Sequence, residues 1–71
     1  MNYKITMFLK ERIAESGVKY RYISIKTGID YQRLMRIFNQ NAIISGSELI
    51  ALCRLLNVKQ SDLMLLVEDV A

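Results

Sequence analysis

An all-α fold, a single domain of five short helices, is what this sequence predicts, and three observations predict it. Apolar residues recur at three- and four-residue steps along most of the chain. The composition is 52% hydrophobic with no proline and only three glycines, which suits packed helices rather than disorder or strands. With 71 residues the chain is near the size at which one core suffices, and it is too small for a cleft between domains.

A first helix is expected from about Tyr3 to Ser16, where Ile5, Phe8 or Leu9, and Ile13 share a face. Gly17 then stands where a helix end turns left-handed. A second, shorter helix over Tyr20 to Lys26 turns Ile23 inward with help from Val18, and Gly28 stops it because glycine adopts positive φ at no steric cost. Ile29 reads as a plug between helices, and Asp30 as an N-cap that accepts from an orphan N–H of the next helix.

The third helix is expected over Tyr31 to Phe38, with Leu34 and Ile37 (or Phe38) inward and Gln32, Arg33, Met35 and Arg36 on the other faces. A loop, N-Q-N-A-I-I, follows. Ser45-Gly46-Ser47-Glu48 fits the S-x-x-E capping box and opens a fourth helix, Gly46 to Leu56, that buries Leu49, Leu52, Cys53 and Leu56. Asn57 reads as the residue ending it, with Val58 packing behind. A fifth helix, Gln60 to Glu68, sets Leu63 and Val67, with Leu66, on one side.

Charge is unevenly spread over these elements. From Lys19 to Arg36 the basic residues Lys19, Arg21, Lys26, Arg33 and Arg36 face one acid, Asp30, so this segment accounts for the whole net charge of +3. Such a basic face suits a polyanion. The rest of the composition excludes more than it suggests. Without histidine, and with Cys53 as its lone cysteine, the chain has no structural zinc set, no internal disulfide and no commonest general base, so neither a metal, a cofactor nor an enzyme activity is expected. Cys53 reads as a buried structural thiol. No apolar run approaches the roughly 18 residues of a membrane span, and no signal-peptide pattern opens the chain. A cytoplasmic protein is expected.

Two short helices joined at Thr27-Gly28-Ile29, the second starting at a capped polar position, form the pattern of a helix-turn-helix. Together with Ile23, Leu34, Ile37, Asn39 and the closing L-I-A-L-C-R-L-L-N-V-K-Q-S-D-L, this pattern resembles the Cro/C1-type (XRE-like) family of phage and bacterial repressors from about Leu9 to Leu66. The resemblance implies a lambda-repressor-like domain spanning residues 1–71 that binds operator DNA with its third helix in the major groove. It implies that Tyr31, Gln32, Arg33 and Arg36 read bases, with Met35 a further candidate. It implies phosphate contacts from Tyr20 and from the loop Asn39-Gln40-Asn41. Lys19, Arg21 and Lys26 are candidates for the same role, though not all three can face one way. The chemistry agrees independently, since Gln pairs with adenine and Arg with guanine through two hydrogen bonds each. Asp30 reads as a cap rather than a base contact. Among the tyrosines, Tyr22 is the one expected to pack in part against the protein.

Several positions depart from that family's pattern. Lys19-Tyr20 replaces the usual Ser/Thr-Gln start of the second helix, and Lys59 stands at a usual cap position although lysine has no acceptor. Ser24 is a mild change, Gln40 replaces a common glycine and Ile44 a common proline. Where relatives link an arginine to a glutamate, this chain has Ile13 and Phe38, an apolar exchange that predicts contact between the two.

The C-terminal run L-M-L-L-V-E-D-V-A holds more apolar side chains than one helix face can bury. Met64, Leu65 and Val70 are the surplus, and a homodimer through this end is expected. The function expected is a sequence-specific duplex-binding transcriptional regulator, acting as a repressor. The alternatives are an antitoxin and a protein-interaction module on the same scaffold.

Overall fold

Caps and backbone handedness decide where each helix begins and ends. The computed structural model describes residues 2–68, with side chains to position 66. These form α1 (Asn2–Ser16), α2 (Tyr20–Thr27), α3 (Tyr31–Asn39), α4 (Gly46–Leu56) and α5 (Gln60–Glu68), with no strand among the described residues. The expected boundaries hold to within one residue.

At the end of α2, Gly28 takes φ +78° and donates its N–H to the Ser24 carbonyl. A residue with a Cβ would be strained there. Asn57 performs the same service after α4 at φ +57°, which asparagine tolerates better than most residues. The capping box at Ser45 is complete: its Oγ accepts the Glu48 N–H, and the Glu48 carboxylate accepts the Ser45 N–H. Lys59, which cannot cap, is served from the other side, because Asp62 reaches back to accept the Lys59 N–H at 3.0 Å.

One buried cluster joins Leu9, Ile13, Ile23, Ile29, Leu34, Ile37, Phe38, Leu52 and Val58. In α1, Leu9 is the fully buried residue and Phe8 packs at its edge, which settles the choice between them. Ile37 and Phe38 both turn inward. Ile13 and Phe38 both lie in this same cluster, turned inward as the apolar exchange predicts. Thr6 is also buried, its hydroxyl donating to the Tyr3 carbonyl at 3.0 Å, which removes the cost of an unpaired polar group.

α4 packs against α1 and α2, α3 packs against the same two helices, and α5 leans on α1. An ion pair between Arg12 and Asp62 at 3.7 Å adds to the last of these contacts. None of the helices among the described residues is long and apolar enough to cross a membrane.

Candidate nucleic-acid interface

The turn between α2 and α3 is rigid for local reasons. Thr27 Oγ1 donates to the Ile23 carbonyl at 2.7 Å and accepts the Ile29 N–H at 3.2 Å. Ser24 Oγ donates to the Ile29 carbonyl at 2.6 Å, so the substitution that looked mild in the sequence ties the helix to the turn that follows it. Ile29 buries its side chain in the core. Asp30 then caps α3, its carboxylate accepting the N–H groups of Gln32 at 3.0 Å and Arg33 at 3.3 Å. The first turn of α3 is held in register, with Leu34 and Ile37 anchoring it from below.

On the outer side of α3, Gln32 and Arg36 are exposed, and no hydrogen bond or ion pair within the described residues engages either side chain. Tyr31 is half-buried, and the Arg21 guanidinium lies 4.3 Å from its ring centroid, a cation–π contact that fixes a basic residue of α2 beside the start of α3. Lys19, Arg21 and Lys26 are all exposed. Lys26 Nζ sits 5.6 Å from the Tyr22 ring. No side chain caps α2, because Lys19 is extended and offers no acceptor, so the first-turn N–H groups lack a side-chain partner. Asn39, Gln40 and Asn41 follow at the exposed far end of α3, where Asn39 Nδ2 makes only a weak contact of 3.6 Å to Met35 Sδ.

Three expected placements are changed. Arg33 was expected to face outward, free to read a base. Its guanidinium instead grips Glu48, Nε to Oε2 at 2.8 Å and Nη2 to Oε1 at 2.9 Å, and Nη2 also donates to the Ile43 carbonyl at 2.7 Å. The hydrogen bonds from Arg33 pull the Glu48 carboxyl down to about 2, and the same bonds raise Arg33. Tyr20, not Tyr22, is the packed tyrosine: its ring lies 5.6 Å from that of Phe38, and burial pushes its phenol up, whereas Tyr22 is 48% exposed. Tyr20 stands three positions before the buried Ile23, a spacing that marks it as sharing the inward face. Met35 packs against the core edge and is only half available. Asn41 keeps its expected exposed place: it is left-handed at φ +52°, and its Oδ1 accepts from Asn2 Nδ2 at 3.0 Å, which leaves its own Nδ2 donor open.

Asn2 is the residue that sequence reasoning missed. Besides Asn41 it donates to the Ala42 carbonyl at 3.2 Å and accepts the Ile44 N–H at 2.9 Å, clamping the loop that leaves α3. Lys10 adds a bond from Nζ to the Phe38 carbonyl at 3.4 Å, a cation at the C-terminal end of α3 where the helix dipole favours one. No local signal in the sequence marks these partners.

Away from this face, Met64 and Leu65 of α5 are 51% and 62% exposed, and Val70 lies outside the described residues, as does the side chain of Val67. An apolar groove between α4 and α5 is lined by Leu49, Ile50, Cys53, Val58 and Leu63. Cys53 is therefore half-buried rather than sealed in, and burial pushes its thiol up, away from the reactive thiolate. No group of three or more His, Cys, Asp or Glu side chains gathers among the described residues.

The family model described as the Cro/C1-type HTH DNA-binding domain matches residues 9–69. No curated protein and no solved structure matches the chain.

Proposed function

The chain belongs to the Cro/C1-type helix-turn-helix DNA-binding family, and from that premise we propose that it is a sequence-specific duplex-binding regulator of transcription that represses by occupying an operator. The observation that carries this reading is the pair Gln32 and Arg36, exposed and without a partner among the described residues, on a helix whose start is capped by Asp30 and whose underside is locked into the core. An amide with a donor beside an acceptor and a guanidinium with paired donors, carried on an anchored helix of a basic face, suit base edges in a major groove.

In this reading Gln32 and Arg36 read bases, and Tyr31 lies beside them with Arg21 steadying its ring. Lys19, Arg21, Lys26, Asn39, Gln40 and the free part of Asn41 meet phosphates. Tyr20 serves this role only through its hydroxyl edge, its ring being committed to Phe38. The uncapped start of α2 supplies what the missing glutamine clamp would have given: N–H groups at the positive end of a helix dipole, beside Lys19, suit a backbone phosphate. A single domain covers one half-site, and the exposed Met64 and Leu65 fit a symmetric contact with a second copy on a near-palindromic operator.

Selecting bound sequences from a random duplex pool tests the reading directly. An operator should emerge whose affinity falls steeply with salt. Against it, Arg36→Ala and Gln32→Ala should each cost about 1–3 kcal/mol and relax preference at one base pair. Binding that ignores both sequence and salt would instead favour a protein-interaction module.

A further inference from the structure

α3 and α4 make no close backbone approach among the described residues; each packs on α1 and α2 instead. The hydrogen bonds that span the gap come from Arg33. Its fork reaches both oxygens of Glu48 at 2.8 and 2.9 Å and the Ile43 carbonyl at 2.7 Å. Glu48 Oε1 in turn accepts the Ser45 N–H at 2.9 Å, while Ser45 Oγ accepts the Glu48 N–H at 3.2 Å. One guanidinium thus ties together the first turn of α3, the middle of the following loop and the start of α4. The two side chains are 34% and 17% exposed, so the pair sits at the edge of the basic face and is partly shielded from water. Because the carboxylate cancels the guanidinium, the pair presents no net cation to a phosphate.

Resting on the reading of α3 as the helix that meets DNA, we infer that Arg33 is a positioning residue: through Glu48 it sets the angle at which α3 presents Gln32 and Arg36, and it makes no phosphate or base contact of its own. Two consequences separate this role from a direct contact. The planar fork is needed and charge alone does not suffice, so lysine, a good phosphate partner but a poor match to a two-oxygen grip, should fail at this position. The sign at Glu48 is also unusual. Removing an acid beside a polyanion ordinarily tightens binding, whereas here it should loosen it.

The test measures affinity for the selected operator across a salt series for the wild type, Arg33→Gln, Arg33→Lys, Glu48→Gln and the double variant Arg33→Gln/Glu48→Gln, with helix content checked at the temperature used. Each single variant should weaken operator binding about tenfold. The double variant should be no weaker than the worse single, because one interaction is lost in all of them, and the salt slope should stay at the wild-type value. The inference is overturned if Arg33→Gln lowers the slope by about one contact's worth while Arg33→Lys binds like the wild type. It is equally overturned if Glu48→Gln binds as tightly as the wild type or more so, or if the two losses add. Arg33→Lys keeps the test decisive should Arg33→Gln prove unstable. A wild-type protein that binds no duplex sinks the functional reading and the inference with it, an outcome visible without any variant.

Discussion

The turn that enters α3 is held by its own neighbours, whereas the loop that leaves α3 owes its side-chain anchors to Asn2 and Arg33, farther away in the chain. In the turn, Ser24, Thr27, Gly28 and Asp30 bond backbone groups that all lie within five positions of them, between Ile23 and Arg33. In the loop, the Ala42 N–H is met locally by the Arg36 carbonyl, but Asn41 Oδ1, the Ala42 carbonyl and the Ile44 N–H are met by Asn2, and the Ile43 carbonyl by Arg33. The difference concerns more than bookkeeping of bonds. A locally held turn forms with the helices it joins, while a loop held from a distance depends on the whole domain being assembled, so the two ends of one helix should respond differently to the same insult.

Truncating the shared anchor should abolish the contrast altogether. Leu34 is fully buried beneath α3, and Leu34→Ala should cost about 2–5 kcal/mol in urea unfolding, loosening the turn and the loop together. Protonating Glu48 comes next and should loosen the ties among α3, the loop and α4 while leaving the bonds within the turn in place. Its carboxyl is held at about 2 against an ordinary 4.5, so its contribution to stability is fully present above about 4.5 and is lost as the pH falls toward 2. Acid unfolding followed for the wild type and Glu48→Gln should show curves that differ above that interval and converge within it; curves that stay parallel throughout would refute the assignment.

Smaller still is the cap that belongs to the turn. Asp30→Ala removes the acceptor for the N–H groups of Gln32 and Arg33 and should cost about 1 kcal/mol, with faster amide exchange at those two residues and unchanged exchange at Ile44. Asn2→Ala should produce the converse at the lowest cost, about 0.5 kcal/mol, because its bonds are partly open to water. Exchange at Ile44 should then quicken while Gln32 and Arg33 keep their protection. If both variants perturb both amides alike, the distinction between the two connections fails.

The same contrast explains how much could be read in advance. The five helices, the Gly28 stop, the Asp30 cap and the Ser45 to Glu48 box were legible because each depends on residues within four positions of one another, where spacing alone constrains geometry. Family membership was legible for a related reason, since the order of these local signals extends over most of the chain. The engagement of Arg33 was not. An arginine and a glutamate fifteen positions apart carry no mark of pairing, and an outward-looking position on a helix is open to a partner brought up by the fold as readily as to a ligand. Asn2 is a stronger case, with partners 39 to 42 positions away. Tyr20 fell between the two: its spacing from Ile23 pointed inward, but tyrosine suits either environment, and the ring of Phe38 decided the matter.

The clamp made by Asn2 also bears on how the protein should be handled. Its side chain touches the loop that follows the DNA-facing helix, so a purification tag or fusion partner that displaced Asn2 would also release Asn41 to Ile44, beside the end of α3 proposed to meet the sugar-phosphate backbone. Affinities measured on such a fusion would report a loosened loop. A long flexible spacer ahead of Asn2, or removal of the tag before measurement, leaves that contact as the chain builds it.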